Sequence, residues 1–386
     1  MQFAGGNRLR LLKNGERYFP ALVKALDAAR EEVFLETYIF ADDETGSLVA
    51  DALARAASRG VRVHLLIDGF GARDFAERFR RALETAGAQI LVFRRPSAML
   101  PSRNRLRRMH RKLACADGRI AFVGGINIID DFETPLDDTR VTPPRYDFAV
   151  RIEGPLAHEV RSAASRLWNE VSRARLHRRG HGDSAPKAPA HAGSQRAALV
   201  VRDSVRHRRD IERAYLRYLG SARAEAIIAC AYFFPGRHFR RALLAAAERK
   251  VRVRLILQGK VEYPLLHYAS RALYGALLDA GIEIYEYNAS QLHAKVAVFD
   301  RRVSCVGSSN IDPFSLLLAR EANVFVDDVA FAAELHASLE EAIRLGAVPM
   351  PPREWKRQPF WMRVRIWLAY GIVRLIISFY GFERYR

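Results

Sequence analysis

The stretch from His110 to Asn127 reads HRKLACADGRIAFVGGIN, and 183 residues further on the stretch from His293 to Asn310 reads HAKVAVFDRRVSCVGSSN. Both hold a His-X-Lys triplet, an aspartate five residues after the lysine, and a glycine followed three residues later by an asparagine. A histidine near a lysine is common on protein surfaces, so a single copy of such a motif carries little weight. Four chemically distinct features that repeat at one constant spacing are much stronger evidence of a functional site. The repeat therefore predicts two half-sites that form one composite site.

Each copy of the repeat alternates like a buried strand that turns into a second strand. Because side chains two residues apart share one side of a strand, His293 and Lys295 are expected to point into one space, about 7 Å apart along the chain. Glycines follow the apolar strands where the backbone must turn or approach a ligand closely, and Asn127 and Asn310 then supply amide donors. Imidazole, ammonium and amide groups together predict an anion-binding site.

Helix and strand patterns alternate around the repeat. In the first half the predicted elements are helix 17–30, strand 33–40, helix 47–58, strand 61–67, helix 73–86 and strand 89–93. The second half repeats this order, and the residues between the halves, 177–195, have the Arg, Gly, Pro, Ala and Ser content of a linker. We therefore predict an α/β fold with an N-terminal domain at 1–176, a linker at 177–197, a C-terminal domain at 198–350 and a tail at 351–386.

The amino-acid composition indicates which classes of binding partner and which cellular compartment suit this chain. Lysine and arginine number 62 against 43 acidic residues, a formal net charge of +19, which favours nucleic acid or an anionic lipid surface as partner. Cys115, Cys230 and Cys305 lie in apolar, strand-like runs without metal-site spacing, and this predicts buried thiols in a reducing compartment. Residues 1–20 lack the apolar core of a signal peptide, so no cleaved leader is expected.

Two further segments are basic. Residues 94–108 form an arginine-rich insertion, which predicts either a solvated loop or a lid that meets lipid phosphates. In the tail, the apolar stretch 366–382 is only 17 residues long and is therefore marginal for spanning a bilayer. As a helix it would collect basic and aromatic side chains on one face opposite Ile and Leu, namely Arg363, Trp367, Tyr370 and Arg374. This favours an amphipathic helix lying in the membrane surface, with a helix docked on the protein as the alternative.

The His-X-Lys triplet with its aspartate and its GGxN or GSxN tail resembles the signature of the phospholipase D superfamily. Longer phrases are similar to those of bacterial cardiolipin synthases, namely LETYIF at 35–40, GVRV at 60–63, FVGGIN at 122–127, VGSSNIDP at 306–313 and EANV at 321–324. The resemblance covers the chain from about residue 7 to about residue 345. It implies two α/β/α sandwich domains related by a pseudo-twofold axis, with the active site at their interface. Larger cardiolipin synthases begin with transmembrane helices, so this chain resembles the shorter type.

The resemblance also implies roles for individual residues. Related enzymes use the first histidine as nucleophile, which makes His110 the expected carrier of a phosphohistidine and His293 the general acid and base. The two symmetric motifs do not by themselves decide between these histidines. The implied catalytic set is His110, Lys112, Asp117, His293, Lys295 and Asp300, with phosphate-binding side chains at Asn127, Asn310 and Ser308 and histidine-orienting carboxylates at Asp147 and Glu321. The two motif aspartates are expected to fix the turn between strands. Because lysine brings the positive charge that a metal would supply, no metal and no other cofactor is expected.

Three reactions fit this chemistry. The leading interpretation is transfer of a phosphatidyl group to phosphatidylglycerol, which forms cardiolipin, at the cytoplasmic side of the inner membrane by a peripheral or monotopic protein with anionic phospholipids as partners. A hydrolytic phospholipase D differs only in letting water complete the reaction. A nuclease is disfavoured by the aromatic, apolar tail, so no nucleic-acid partner is expected, and a non-catalytic membrane scaffold is disfavoured by two intact motifs. Phosphatidylglycerol and phosphatidylethanolamine both stay open as the phosphatidyl donor.

Overall fold

The structure is a computed structural model that describes residues 1–73, 75–94, 107–132, 143–174, 191–203 and 207–379, apart from the side chains of Phe314, Leu317 and Phe379. The predicted basic insertion therefore lies outside the described residues except at its two ends. The same holds for residues 177–190 of the predicted linker.

The described part of the first half contains strands and helices in alternating order. They are β1 (Ala4–Lys13), α1 (Asn14–Ala28), β2 (Glu32–Thr37), α2 (Glu44–Ser58), β3 (Arg62–Asp68), α3 (Glu77–Thr85), β4 (Gln89–Phe93), β5 (Lys112–Ala116), β6 (Ile120–Gly124), β7 (Phe148–Glu153) and α4 (Pro155–Ala174). The predicted helices and strands of this half are all present, with ends that differ by a few residues. β1 was not predicted.

The described part of the second half repeats the pattern and continues into the tail. Its elements are β8 (Gln195–Arg202), α5 (Asp210–Ser221), β9 (Glu225–Cys230), α6 (Arg237–Glu248), β10 (Arg252–Gln258), α7 (Pro264–Arg271), α8 (Tyr274–Asp279), β11 (Glu283–Tyr287), β12 (Lys295–Phe299), β13 (Val303–Gly307), α9 (Pro313–Leu317), β14 (Glu321–Asp327), α10 (Val329–Gly346), β15 (Ala347–Pro349), α11 (Pro352–Lys356) and α12 (Phe360–Phe379). β8 begins at Gln195, so the last residues of the predicted linker belong to a strand. The division into separate domains stays a prediction.

The order of the strands shows the pseudo-twofold relation directly. Hydrogen-bonded neighbours follow the order β15-β11-β10-β9-β12-β13-β14-β8-β1-β7-β6-β5-β2-β3-β4. Apart from the short β15, the order reads the same from either side of the antiparallel β1–β8 pair, with β5 equivalent to β12 and β6 to β13. The predicted α/β fold with two related halves is therefore confirmed.

Three hydrophobic cores stabilise this arrangement, and one of them belongs to both halves. The shared core joins side chains of β7 and α4, such as Val150 and Leu167, to side chains of β14 and α10, such as Val324 and Leu335. The other two cores lie on the outer face of each half. Since apolar surface from both halves is removed from water together, the shared core holds the two repeats in a fixed relation.

The C-terminal helix α12 docks on the second half. Its buried side chains follow one helical stripe, and they are Ile366, Ala369, Val373 and Ile377. A second apolar stripe faces outward, with Trp367, Leu368 and Leu375 each at least 60% exposed. The helix is therefore docked on the protein, which was the alternative prediction, and its apolar side chains occupy two faces because Leu368, Ile372 and Leu375 lie outward beside Trp367. Within the described residues, none of the helices combines the length and apolar character needed to cross a bilayer.

Candidate active site

Both motif histidines lie two residues before a strand and are fixed by backbone hydrogen bonds from the opposite half. The amide of His110, before β5, donates to the carbonyl of Arg320 at 2.9 Å. The amide of His293, before β12, donates to the carbonyl of Tyr146, also at 2.9 Å. Each histidine is therefore positioned by the segment that leads into β14 or β7 of the other half, and its location depends on the packing of the two halves.

The histidine-orienting carboxylates also come from the opposite half. His110 Nδ1 lies 3.0 Å from Glu321 Oε1, and His293 Nδ1 lies 2.6 Å from Asp147 Oδ2. An ionised carboxylate oxygen only accepts hydrogen bonds, so when the carboxylate is ionised Nδ1 carries the proton and Nε2 is left as the reactive nitrogen. The two pairs cross the pseudo-twofold axis, which sequence alone did not predict.

Strand register shows that Asp147 and Glu321 are equivalent positions. Gly124 of β6 pairs with Ala149 of β7, and Gly307 of β13 pairs with Asn323 of β14. Each acid lies two residues before the residue that pairs with the glycine. The 183-residue offset of the motif fails here because the segment between the asparagine and the acid is nine residues longer in the first half.

The hydrogen bonds of Ser308 contradict its predicted role as a phosphate-binding residue. Its hydroxyl donates to Glu321 Oε2 at 2.5 Å and accepts from the amide of Ala322 at 3.0 Å, and the residue is fully buried. The prediction that Ser308 binds phosphate is wrong, because its proton is committed to the carboxylate. Its equivalent Gly125 has a different reason to lack a side chain, since an added Cβ would lie 2.3 Å from Asp147 Oδ1.

The two lysines are buried beside the histidines. Lys112 Nζ donates to the carbonyl of His110 at 2.8 Å, and Lys295 Nζ donates to the carbonyl of His293. Burial lowers the pKa of Lys112 from 10.5 to about 7 and also lowers the pKa of Lys295. A phosphodiester anion would reverse this effect, because an opposite charge at close range favours the protonated lysine.

Burial also sets the protonation of the two His-carboxylate pairs. It lowers the pKa of His110, against the attraction of Glu321, and it lowers the pKa of His293 well below its ordinary value, with Lys295 and Lys112 adding to the effect. Burial raises the pKa of Asp147 to about 7. A neutral imidazole with a free Nε2 lone pair is the form that attacks phosphorus, so burial favours the reactive form of His110.

The two asparagines are held in the same way in both halves. Asn127 Oδ1 accepts the amide of Ile39 at 3.2 Å, and Asn310 Oδ1 accepts the amide of Tyr232 at 3.3 Å. Since the oxygen of each side chain is engaged by backbone, each Nδ2 remains as a donor for an anion in the cavity.

The motif aspartates lie away from this chemistry, at the far ends of β5 and β12. Asp117 accepts the amides of residues 30–32 at 2.8–3.0 Å, and Asp300 accepts those of residues 223–225 at 2.8–3.2 Å. Both have positive φ angles, 52° and 49°, a conformation that aspartate tolerates in turns. They tie the strand turns to the starts of β2 and β9, and they do not line the active-site cavity.

Both histidines line one cavity of about 490 Å³ between the halves. Several further lining residues were given no role by the sequence analysis, among them Tyr38, Arg145, Glu262 and Gln291. The Tyr38 ring lies edge-on to the His110 ring, with centroids 4.9 Å apart. Tyr38 lies in the LETYIF phrase, which was a usable sequence signal, whereas Arg145, Glu262 and Gln291 lie outside the repeated motif.

One described cluster has the composition of a metal site but lies at the wrong end of the sheet. Glu225, His336 and Glu340 bring ligand atoms within 4.8 Å of one another. Arg254 donates to Glu225 at 2.6 Å and to Glu340 at 2.5 Å, so a guanidinium already neutralises the acids. Glu225 begins β9, whereas the active site lies beyond its other end. We interpret the cluster as a structural ion network.

Comparisons with known proteins agree with this geometry. The family model described as "Cardiolipin synthase, PLD-like domain" matches residues 22–132 and 215–343. Cardiolipin synthase B of Escherichia coli (strain K12) is 38% identical over 96% of this chain and 88% of its own length. The major cardiolipin synthase of Bacillus subtilis (strain 168) is 28% identical over 94% of this chain and 74% of its own length. A crystal structure of phosphatidylserine synthase from Haemophilus influenzae Rd KW20 superposes with a TM-score of 0.67 at 14% identity, covering 95% and 93% of the two chains, and shows the shared fold.

Proposed function

The chain belongs to the cardiolipin synthase family of phospholipase D-like phosphatidyltransferases, and we propose that it transfers a phosphatidyl group to phosphatidylglycerol through a phosphohistidine on His110, which forms cardiolipin. The steps are written below for phosphatidylglycerol as the donor, so that the leaving alcohol is glycerol. The observation that carries the mechanism is the pair of crossed contacts, His110 with Glu321 and His293 with Asp147, around a single cavity. Two imidazoles with reactive Nε2 atoms are thereby presented to one phosphorus.

The first step cleaves the donor lipid. His110 Nε2 attacks phosphorus, the N–P bond forms, and the P–O bond to glycerol breaks. Lys112, Lys295 and the asparagine amides stabilise the charge that develops on the nonbridging oxygens. The negative charge of the substrate favours protonated His293, which transfers its proton to the departing glycerol oxygen.

The second step reverses the proton transfer. His293, now neutral, accepts the proton of a hydroxyl on the headgroup of a second phosphatidylglycerol. That oxygen attacks phosphorus, the new P–O bond forms, and the N–P bond to His110 breaks. Glu321 holds the His110 ring in place during both steps, since its carboxylate engages Nδ1 throughout.

The direct test is product analysis with the purified protein and phosphatidylglycerol vesicles. We expect cardiolipin and free glycerol in equal amounts, because each transfer releases one glycerol. Phosphatidic acid as the main product, with no cardiolipin, would instead identify a hydrolytic phospholipase D.

The same assay tests whether lysine side chains or a divalent metal ion supply the positive charge beside the phosphorus atom. We expect EDTA at millimolar concentration to leave the rate of cardiolipin formation unchanged, because two lysines and two amides supply the charge and donors at phosphorus. Loss of activity in EDTA, restored by a divalent ion, would contradict the proposed mechanism.

We propose that the outward face of α12 binds the membrane surface next to the cavity. α12 packs on α7, where Arg365 lies 4.0 Å from the Tyr268 ring and Leu266 lines the cavity. The face exposes Trp361, Val364, Trp367, Leu368 and Leu375, and residues 360–379 include no acidic residue. An apolar stripe flanked by arginines suits the headgroup region of an anionic bilayer. Three buried free cysteines support a cytoplasmic position for this contact.

Replacing two outward leucines tests this surface. Leu368→Glu with Leu375→Glu is expected to weaken binding to phosphatidylglycerol vesicles by about 100-fold, because burying each leucine contributes about 1.5–3 kcal/mol and the new charges oppose insertion. Vesicle co-sedimentation measures the effect. Leu48→Glu on α2, a leucine that is 45% exposed, is the matched control and should bind normally. Equal binding by all three proteins would contradict the proposed membrane face.

A further inference from the structure

The two His-carboxylate pairs differ in the side chain that lies opposite each carboxylate. Glu321 of β14 pairs with Arg202, the last residue of β8. Asp147 lies opposite Asn14, whose amide donates to the Asp147 carbonyl at 2.8 Å and whose Oδ1 accepts the Asp147 amide at 3.2 Å. Since Asp147 and Glu321 are equivalent positions, Arg202 and Asn14 are equivalent too. Directly opposite residues share one face of a sheet, so a guanidinium adjoins one pair where a neutral amide adjoins the other.

Arg202 is a buried cation without a neutralising hydrogen-bond partner. It is 2% exposed, its Nη1 donates to the carbonyl of Ala319, and its Nε and Nη2 have no hydrogen-bond partner among the described residues. Burial lowers the pKa of Arg202 to about 10, and the attraction of Glu321 opposes this fall. Because Coulombic attraction is mutual, the guanidinium attracts the Glu321 carboxylate equally. Three more distant charges act on Arg202 with smaller effects, and they are Asp203, Arg107 and Arg208.

Hydrogen bonding does not distinguish the two carboxylates in the same way. Each accepts one hydrogen bond besides that of its histidine. Glu321 accepts the Ser308 hydroxyl at 2.5 Å, and Asp147 accepts the Phe148 amide at 2.8 Å. The guanidinium of Arg202 is therefore the main chemical difference between the surroundings of the two carboxylates.

Other charged groups near the pairs are shared or oppose each other. Lys112 and Lys295 act on both histidines. Beyond the effect of burial, Arg145 lowers the pKa of His293 while Asp131 raises the pKa of the carboxylate bound to it. Burial raises the pKa of that carboxylate to about 7, so the second pair is able to hold an extra proton near neutral pH.

We propose that Arg202 keeps an extra proton off the His110–Glu321 pair, and thereby leaves nucleophilic attack to His110 and proton transfer to His293. An extra proton would lie on the imidazole or on the carboxylate, and in both hydrogen-bonded arrangements Nε2 carries a proton and cannot attack phosphorus. Arg202 acts through Glu321, so it is a positioning residue. This inference rests on the proposed function and deepens it, because the two motifs by themselves leave the nucleophile undecided.

The pH dependence of the attack tests this role. The p-nitrophenyl ester of a short-chain phosphatidic acid has a leaving group that needs no proton, so the rate of the initial nitrophenol burst reports attack by His110. Arg202→Gln keeps an N–H donor for the Ala319 carbonyl and removes the charge. Without the charge the pair binds an extra proton more tightly, so a higher pH is needed to remove it. We expect the midpoint of the burst rate to rise by about one pH unit, with an unchanged rate at high pH.

Two further variants separate charge from structure. Arg202→Lys keeps a cation and should keep the midpoint of the unchanged protein. Arg196→Gln near the other end of β8 is the matched control, since this arginine is 59% exposed and pairs with Asp327 at 3.7 Å. Its midpoint should also stay unchanged.

The outcomes of these measurements distinguish the role of Arg202 from the proposed function. A slower burst of Arg202→Gln at every pH, with an unshifted midpoint, would show that Arg202 only anchors the Ala319 carbonyl. A complete loss of the burst at all pH values would likewise overturn its role, because removal of the charge alone leaves attack intact at high pH. Absence of a burst from the unchanged protein would overturn the proposed function and this inference with it.

Discussion

Replacing His110 with alanine is expected to reduce cardiolipin formation by about a thousandfold or more, because the nucleophile that forms the covalent intermediate is lost. Replacing His293 with alanine should reduce the reaction with phosphatidylglycerol similarly, since the glycerol oxygen then leaves without a proton. Product formation from phosphatidylglycerol vesicles measures both effects. The surface histidine variant His238→Ala on α6 is the matched control.

The two variants should differ with a substrate whose leaving group needs no proton. With a p-nitrophenyl phosphodiester, His293→Ala is expected to release nitrophenol in an initial burst, because His110 still attacks and the nitrophenolate leaves unaided. His110→Ala should give no burst. A burst from His110→Ala and none from His293→Ala would contradict the proposed roles and assign the nucleophile to the second motif.

Replacing Lys112 with methionine is expected to stabilise the protein while reducing its activity. The pKa of Lys112 falls from 10.5 to about 7 on folding, so below pH 7 the folded state carries a desolvated charge that the unfolded state solvates freely. Removing that charge should raise the free energy of unfolding at pH 7 by about 2 kcal/mol, which allows for the lost hydrogen bond to His110. Activity should fall about 100-fold, because one charge that stabilises the transition state is missing.

The lowered pKa of Lys112 also determines how the free energy of unfolding changes with pH. Between pH 7 and pH 10.5 the unfolded chain binds a proton at Lys112 that the folded protein does not, so the stability of the unchanged protein increases with pH in this range. The advantage of Lys112→Met should therefore shrink as the pH rises from 7 to 9. Thermal unfolding at several pH values measures it, with the exposed Lys24→Met as control. A variant that unfolds at a lower temperature than the unchanged protein at pH 7 would contradict the account.

Much of the fold could be predicted because its signals are local. Alternating helix and strand patterns gave the elements of the first half, and the constant 183-residue offset gave the symmetry. β1 and β8 were missed although they form the centre of the sheet. β8 starts directly after a linker-like segment, and nothing in either strand's own sequence shows that the two pair with each other across the halves.

The site was predictable where the motif repeats and unpredictable where the halves differ. His110, Lys112, Asn127 and their counterparts line or flank one cavity, as the repeat implied. The crossing of each histidine to the acid of the other half is a property of tertiary packing, which spacing along the chain does not encode. Ser308 was misassigned because its hydroxyl follows directly after the motif glycine, where a phosphate-binding group was expected. In the structure this hydroxyl donates to Glu321. Glu262 lies outside the repeated motif, so only the structure places it in the cavity that His293 lines.

Locating the covalent intermediate tests the central claim most directly. His293→Ala is mixed with the p-nitrophenyl ester of a short-chain phosphatidic acid, denatured at alkaline pH where phosphohistidine survives, digested and examined by mass spectrometry. The account predicts one phosphatidyl group on the peptide that contains His110. A phosphatidyl group on His293 in the matching His110→Ala experiment, or no modified histidine despite rapid nitrophenol release, would contradict it.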